Sequence, residues 1–144
     1  YELAVAAIDG LGLSTGAREQ LLYWFELRLA GLLGIRPQTA ACVSCDAAVQ
    51  PPYPAFFSAS LGGALCETCS RRRGSAIPLG HDILAILRAW QAAVSPRAAQ
   101  VTRCSSGQSA QLGRILAEFL KYHLDRAPES RYTTLHTLLF SGYN

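Results

Sequence analysis

Two pairs of cysteines stand at a spacing that is typical of a metal site. Cys42 and Cys45 form one Cys-x-x-Cys pair, and Cys66 and Cys69 form a second pair after twenty further residues. Two residues between two cysteines make a tight knuckle that aims both sulfur atoms at one point, and two such knuckles complete a tetrahedron. Because four protein ligands leave no coordination position open, the pattern predicts a structural Zn²⁺ ion and not a catalytic one.

Two other uses of these four cysteines are less favoured by the sequence. Two disulfides in a secreted protein would leave Cys104 as an odd fifth cysteine, and they would not require so regular a spacing. A thioredoxin-like redox pair opens a helix directly after a buried strand. We expect neither cysteine pair to stand in that position, so the redox interpretation is the weakest of the three.

Three consecutive arginines, Arg71, Arg72 and Arg73, follow the last cysteine pair almost directly. One interpretation is a cluster that contacts DNA phosphates and is held in place by the zinc knuckle. The other interpretation is charge compensation, since four thiolates and one Zn²⁺ ion together carry a charge of −2. Both interpretations stay open. Arg88 joins the three as a predicted nucleic-acid contact, whereas most of the remaining basic residues are expected on solvated helix faces.

The net charge is unevenly distributed along the chain. The formal total is +3 over 144 residues, with −3 on residues 1–70 and +6 on residues 71–144. A zinc site of charge −2 would lower the total to +1, so any DNA affinity depends on where the arginines lie and not on the overall charge. Half of the residues are hydrophobic and only 16% are charged, which excludes a disordered tail.

Apolar residues recur every three to four positions before and after the cysteines, which predicts helices on both sides of them. The predicted helices cover residues 17–33, 81–94, 109–126 and 133–140. The first is expected to end at Gly34 and the third at Pro128. Between them, several prolines and the pair Gly62-Gly63 predict loops and a short hairpin, without a helix. No apolar stretch is long enough to cross a bilayer.

The predicted fold is therefore mainly α: a helical bundle with an inserted zinc-ribbon-like module that has four cysteine ligands and contains a short β-hairpin. Residues 1–37 and 76–144 would form the two parts of the helical domain, and residues 38–75 the zinc-binding insert. Phe56 and Phe57 of the hairpin are expected to pack against the bundle rather than stack on bases.

Nothing in the sequence argues for an enzyme. The chain contains no Walker loop, no GxGxxG and no HExxH motif. Cys104 has no base nearby in the sequence, so we expect an ordinary free thiol and not a nucleophile. His123 lies on an apolar helical stripe and is expected to be a core histidine.

Several short motifs, in order along the chain, resemble the RecO family of bacterial DNA-repair proteins. They are Phe25-Glu26-Leu27-Arg28-Leu29 before Leu33-Gly34, the two cysteine pairs with Phe57-Ser58 and Leu61-Gly62-Gly63 between them, and the stretch from Phe119 to Leu124. One departure is Glu129-Ser130-Arg131, where the family has Lys-Ser-Arg; the acid weakens a phosphate-binding role for that motif. A second is that the family begins with an OB-fold domain, which we expect this stretch of sequence to lack. Because the chain opens at Tyr1 and has no Met, we expect a fragment of a longer protein.

The resemblance implies a recombination mediator of the RecFOR pathway. Such a protein binds single- and double-stranded DNA, anneals complementary strands, works with RecR and SSB, and helps to load RecA onto SSB-coated single strands. The OB-fold domain would be the main reader of single strands, and the present part would supply a zinc-stapled scaffold with extra phosphate contacts. The expected location is the bacterial cytoplasm, at the nucleoid and without membrane contact. The alternative function is a zinc-ribbon helical scaffold that docks proteins without touching DNA.

Overall fold

A computed structural model describes residues 15–125 of the chain, which form five helices and three short strands. The helices are α1 (Thr15–Leu32), α2 (Glu67–Arg73), α3 (His81–Ala92), α4 (Pro96–Gln100) and α5 (Ser106–Leu124). The strands are β1 (Ala55–Ser58), β2 (Gly63–Cys66) and β3 (Ile77–Leu79). The prediction of a mainly helical fold with a β-hairpin in the cysteine-bearing insert is confirmed. The helix predicted at 133–140 lies outside the described residues.

The first helix buries one face and ends at a glycine. Its buried residues recur at three-residue spacing, and they are Leu21, Trp24, Leu27 and Ala30. At its end Gly34 takes a left-handed conformation with φ of 77°. The Ile35 N–H then donates to the Ala30 carbonyl at 2.9 Å, and the Gly34 N–H donates to the Gly31 carbonyl at 3.2 Å. This pair of bonds is a Schellman motif, so the predicted stop at Gly34 is confirmed.

The core of the bundle lies between α1, α3 and α5. The fully buried large side chains of α3 and α5 are Ile83, Leu84, Leu87, Trp90, Leu112, Ile115, Leu116 and Phe119. The two buried tryptophans also satisfy their polar atoms: Trp24 Nε1 donates to the Ala93 carbonyl at 3.0 Å, and Trp90 Nε1 donates to the Ala99 carbonyl at 3.2 Å. These bonds tie α1 and α4 to the last turn of α3.

The three strands form one antiparallel sheet in the order β2-β1-β3. Phe57 on the central strand is buried, and its ring meets the Phe119 ring of α5 edge to face at a centroid distance of 6.1 Å. Phe56 also packs against the core. The expectation that the rings pack against the bundle is therefore confirmed for Phe57, and the sheet is anchored to α5 by this aromatic contact.

Three short elements depart from the sequence prediction. A helix, α2, stands where only loops and strands were expected, and it begins directly after β2 at Cys66. The premise used against a thioredoxin-like pair, that neither pair opens a helix after a buried strand, is therefore wrong for Cys66 and Cys69. The other two unpredicted elements are β3, whose central residue is Pro78, and α4, which begins with Pro96. Both are too short to show a hydrophobic period.

The last described helix begins three residues earlier than predicted. Ser105 caps its N-terminus: the Ser105 side chain accepts from the Gln108 N–H, and the Gln108 side chain accepts from the Ser105 N–H. This capping box starts the helix at Ser106 and explains why the segment was predicted as a polar loop, since serines favour both loops and caps. None of the helices between residues 15 and 125 meets the length and hydropathy that a membrane crossing demands.

Candidate metal centre

The first cysteine pair lies on a narrow loop that doubles back on itself. Ala41 and Ala48 form an antiparallel bridge, and the Cys42 N–H donates to the Ala47 carbonyl at 2.8 Å. Between them the Asp46 N–H donates to the Cys42 carbonyl at 2.9 Å, with Asp46 in the left-handed region at φ of 59°. These bonds make the tight knuckle expected of a Cys-x-x-Cys pair and direct both sulfurs to its inner side.

The second cysteine pair is positioned by the end of a strand and the first turn of a helix. Cys66 is the last residue of β2 and the residue that precedes α2, and Cys69 is the third residue of α2. Backbone bonds join this half of the site to the first: the Val43 N–H donates to the Ala64 carbonyl at 2.9 Å, and the Ala64 N–H donates to the Gln38 carbonyl at 2.8 Å. The two knuckles are therefore held against each other by the backbone.

Gly63 permits the close approach of these two segments. A Cβ atom at this position would lie 2.2 Å from the Gln38 carbonyl oxygen and 2.8 Å from a methyl group of Val43. The second of the two paired glycines in the sequence is thus required by packing at the site. Its neighbour Gly62 has φ of 81°, which fits the turn of the hairpin.

The four cysteine sulfurs converge on one point. All four Sγ atoms lie within 4.8 Å of one another, and the Sγ atoms of Cys45 and Cys66 are 3.7 Å apart. A tetrahedron with Zn–S bonds of about 2.3 Å has edges of about 3.8 Å. The separation therefore fits two ligands of one ion, whereas a disulfide would need about 2.05 Å. The predicted set of four cysteines is brought together, and these cysteines could hold a metal ion.

The pKa values of Cys42 and Cys45 are shifted in opposite directions. Burial opposes ionisation of Cys42, but N–H groups of Cys66, Ser44 and Cys45 outweigh it and lower the pKa of Cys42 to about 6. At Cys45 the Ala47 N–H favours the thiolate, yet hydrogen bonding among the four sulfur atoms prevails and raises its pKa to about 12. Thiols this close cannot all ionise unless a cation compensates them. The site is thus chemically suited to a cation that binds thiolates.

The four ligands differ in exposure. Cys42 and Cys69 are buried, Cys66 is half-buried and Cys45 is exposed. Among residues 15–125, no other group of histidines, cysteines or acidic residues has this convergence. Cys104 lies outside the cluster, and its thiol donates to the Ser105 carbonyl at 3.6 Å, while burial followed by the charge of Glu19 raises its pKa. A raised thiol pKa suits an unreactive cysteine.

His123 stands in the last turn of α5 and contacts the hairpin turn of the sheet. Its Nε2 atom donates to the Ala59 carbonyl at 2.9 Å, and its ring contacts the Phe119 ring in a tilted arrangement at a centroid distance of 4.4 Å. The side chain thus joins the hairpin turn to the last turn of α5. Because it is half-buried and not in the core, the prediction of a core histidine is wrong, although its contact is a structural one.

The three predicted DNA-contacting arginines at positions 71–73 share one short exposed helix, α2. Because this helix starts at the second cysteine pair, a metal there would fix its position. Arg71 is ion-paired with Glu67, one helical turn earlier. Arg72 and Arg73 are both exposed. This arrangement suits phosphate binding and also charge compensation of the site, so contact with DNA stays a prediction.

The structure places Arg88 differently from the other three. Its guanidinium is directed at backbone carbonyl groups of the first cysteine loop, including those of Thr39 and Val49. Arg88 therefore lies apart from the cluster on α2, and its role as a nucleic-acid contact is likewise untested. Sequence reasoning had no means to find these bonds, since the partners are about forty to fifty positions away in the chain and carbonyl groups carry no sequence pattern.

The fold and the site together define a class of protein, a helical domain with an inserted module of four cysteines that could hold a metal ion. The chain belongs to the family described as Recombination protein O C terminal, which matches residues 1–132. The resemblance inferred from the short motifs is thereby confirmed.

Individual relatives agree with this assignment. The chain is 34% identical over 117 residues to the DNA repair protein RecO of Pelotomaculum thermopropionicum, an alignment that covers 79% of the chain and 43% of the relative. It is 33% identical over 132 residues to the protein of the same name from Anaeromyxobacter sp. strain K, covering 91% and 50%. The chain thus spans about half the length of the curated relatives it matches.

Proposed function

We propose that this chain is the zinc-stapled part of a DNA-repair recombination mediator, with Zn²⁺ held by Cys42, Cys45, Cys66 and Cys69. The observation that carries the metal assignment is the convergence of four Sγ atoms within 4.8 Å. A site with four thiolates and no open position selects Zn²⁺ as a structural ion. The role of this ion is to hold the two knuckles and α2 in one arrangement, and the chain performs no catalysis.

The proposed DNA contact lies on α2. Arg72 and Arg73 are exposed on a helix whose first turn contains the metal ligand Cys69. Their side chains therefore extend into solvent from a backbone that the metal would hold in place. Arginine binds phosphate through a planar fork of donors. Arg71 reaches a phosphate by exchanging its partner Glu67. In the intact protein this cluster adds phosphate contacts to the strand-binding and annealing activities, and other surfaces serve RecR, SSB and the loading of RecA.

The salt dependence of DNA binding tests this proposal. For every B-DNA phosphate that a variant no longer neutralises, the slope of log K against log salt concentration becomes less steep by about 0.9. We expect the triple variant Arg71→Ala, Arg72→Ala, Arg73→Ala to reduce the slope by about 2 to 3, and the triple lysine variant to preserve most of it. The matched control is Arg97→Ala with Arg103→Ala, which removes two exposed arginines elsewhere.

The triple alanine variant could retain the zinc content and melting temperature of the wild type and still leave the salt slope unchanged. That result would exclude α2 from DNA binding. The ion pair between Arg71 and Glu67 gives this outcome a physical basis, because it already engages the Arg71 guanidinium within the module. Retained binding of RecR or SSB by a fragment that binds no DNA would then establish the second candidate function, a docking scaffold.

A further inference from the structure

Side chains of α3 fasten the first cysteine loop to the helical bundle, and one of them, Arg88, reaches both ends of the loop. We propose that Arg88 is a positioning residue of the metal site: its guanidinium closes the base of the loop formed by residues 39–49 and so preorganises Cys42 and Cys45 for the ion. This inference rests on the proposed metal site but concerns a residue outside the four ligands. It assigns Arg88 to the metal site and not to phosphate binding.

The contacts of Arg88 join the two ends of that loop. Arg88 Nε donates to the Thr39 carbonyl at 3.0 Å, and Nη2 donates to the same carbonyl as well. Nη2 also donates to the Val49 carbonyl at 3.1 Å. Thr39 and Val49 are the first and last residues of the loop, and both are buried. One guanidinium on α3 therefore spans the opening of the loop that carries the first cysteine pair.

A second side chain of α3 holds the chain just before the loop. Gln91 Nε2 donates to the Pro37 carbonyl at 2.7 Å, and Gln91 Oε1 accepts from the Thr39 hydroxyl at 2.8 Å. Gln91 lies three residues after Arg88, so both project from the same side of the helix. The start of the loop is thus bonded to both Arg88 and Gln91, which stand on successive turns of α3. The end of the loop, at Val49, is bonded to Arg88.

Only an arginine can make this set of bonds from one position. The planar fork presents several N–H donors in fixed directions, so Nε and Nη2 reach two carbonyl groups together. A lysine ammonium keeps the charge but lacks the fork. Deleting the side chain leaves buried carbonyls without these donors, and the loop then loses order that the metal must restore at a cost in binding free energy.

The experiment measures metal affinity in Arg88→Met and Arg88→Lys by competition between the protein and a chromophoric zinc chelator. Absorption of the Co²⁺-loaded protein reports whether four thiolates still bind. Groups that orient metal ligands typically contribute a factor of about 10 to 100 to metal affinity. Since Arg88 acts on the loop and not on a sulfur atom, we expect a loss of about tenfold in Arg88→Met, a partial recovery in Arg88→Lys, and an unchanged tetrahedral Co²⁺ spectrum in both.

Two control variants separate positioning from general destabilisation. Trp24→Phe removes another bond from a side chain to a backbone carbonyl, at the C-terminal cap of α3 five residues after Arg88, from a residue that makes no bond to the cysteine loop. Arg97→Met removes an exposed guanidinium from α4. Both controls should bind zinc as the wild type does, even where Trp24→Phe lowers the melting temperature.

The failure of this inference differs from that of the metal site itself. If the wild type binds one zinc ion and both Arg88 variants bind it within twofold of the wild type, Arg88 is not a positioning residue. A loss of affinity in Trp24→Phe as large as in Arg88→Met would also overturn the inference, because stability alone would then explain it. If the wild type binds no zinc, the proposed metal function is wrong and the inference falls with it.

Discussion

The helical bundle and the cysteine module are built on different sources of stability. The bundle buries large side chains, among them Trp24, Trp90 and Phe119. The module, residues 38–75, fully buries two large side chains, Phe57 and Leu65, and otherwise small ones such as Cys42 and Ala64. Because burial is favourable in proportion to apolar area, the module gains far less from it than the bundle does. A region with so small a core needs a covalent or metal cross-link for stability. The four converging sulfurs could bind a metal ion that supplies this cross-link.

The two regions depend on each other unequally. The module rests on the bundle through Phe57 against Phe119 and through Arg88 and Gln91 on α3. The bundle, in contrast, supplies most of the large side chains of the common core, from α1, α3 and α5. We therefore expect loss of the metal to disorder the module and leave the bundle folded.

Metal removal should produce the largest effect. Structural zinc contributes about 10 to 16 kcal/mol of binding free energy in small modules, so its loss exceeds what the module's own core can replace. Chelation, or the variant Cys45→Ser, should therefore abolish hydrogen-exchange protection of the Val43 and Ala64 amides, which are bonded to the facing segment. Amides of α3 and α5 should keep most of theirs.

The matched control for the cysteine variant is Cys104→Ser, which changes a thiol outside the cluster. It should leave the exchange of both regions unchanged. Simultaneous loss of protection in α3 after chelation would show that the module and the bundle fold as one unit, contrary to the independence expected of the bundle.

A core variant should act on the opposite region. Leu112 on α5 is fully buried, and truncation of such a side chain leaves a cavity that costs about 2 to 5 kcal/mol. Leu112→Ala should therefore lower the free energy of unfolding of the bundle by that amount, as measured by urea denaturation of the zinc-loaded protein. Zinc affinity of the folded variant should stay within about threefold, a change of less than about 1 kcal/mol; a larger loss would mean that the bundle core shapes the metal site.

The smallest effect concerns a half-buried carboxyl group of the bundle, that of Glu26. Burial raises the pKa of Glu26 on α1 to about 7, above its ordinary value of 4.5. Between these two values the folded state holds more protons than the unfolded state, so this group lowers stability as pH rises toward 7. Glu26→Gln should remove that loss and make the protein more stable by about 1 to 3 kcal/mol at pH 8.

The measurement compares thermal or urea unfolding of Glu26→Gln and the wild type from about pH 5.5 to about pH 8.5. Any pH dependence of the metal site is common to both proteins and cancels in the difference. A difference in stability that does not grow as pH rises to about 7 would contradict the half-buried state of Glu26.

The sequence predicts the long elements and the metal ligands because each has a periodic or spaced pattern. Leu21, Trp24 and Leu27 recur with the helical period, and the two cysteine pairs have a spacing that coordination geometry imposes. Both features are patterns of residues that lie close together in the sequence, so they can be recognised without the structure.

The remaining features depend on long-range contacts, which leave no such pattern. Helix α2 buries only Cys69 and Ser70 of its seven residues, so it shows no apolar stripe and owes its position to β2 and the cysteine cluster. Strand β3 contains Pro78 and adds an edge to a hairpin that was itself predicted. Arginine is a residue type usually found at the surface, so the sequence gives no sign of the role of Arg88. Only the structure shows that it bonds to a loop 39 to 49 positions earlier.

Native mass spectrometry of the freshly purified protein at neutral pH tests the proposed zinc staple most directly. We expect a folded chain that carries one Zn²⁺ ion and loses it on acidification. Removal of the ion by a chelator at neutral pH should then make four additional thiols reactive toward alkylation. A folded chain without metal, whose four cysteines are unreactive because they are joined in disulfides, would contradict the proposal.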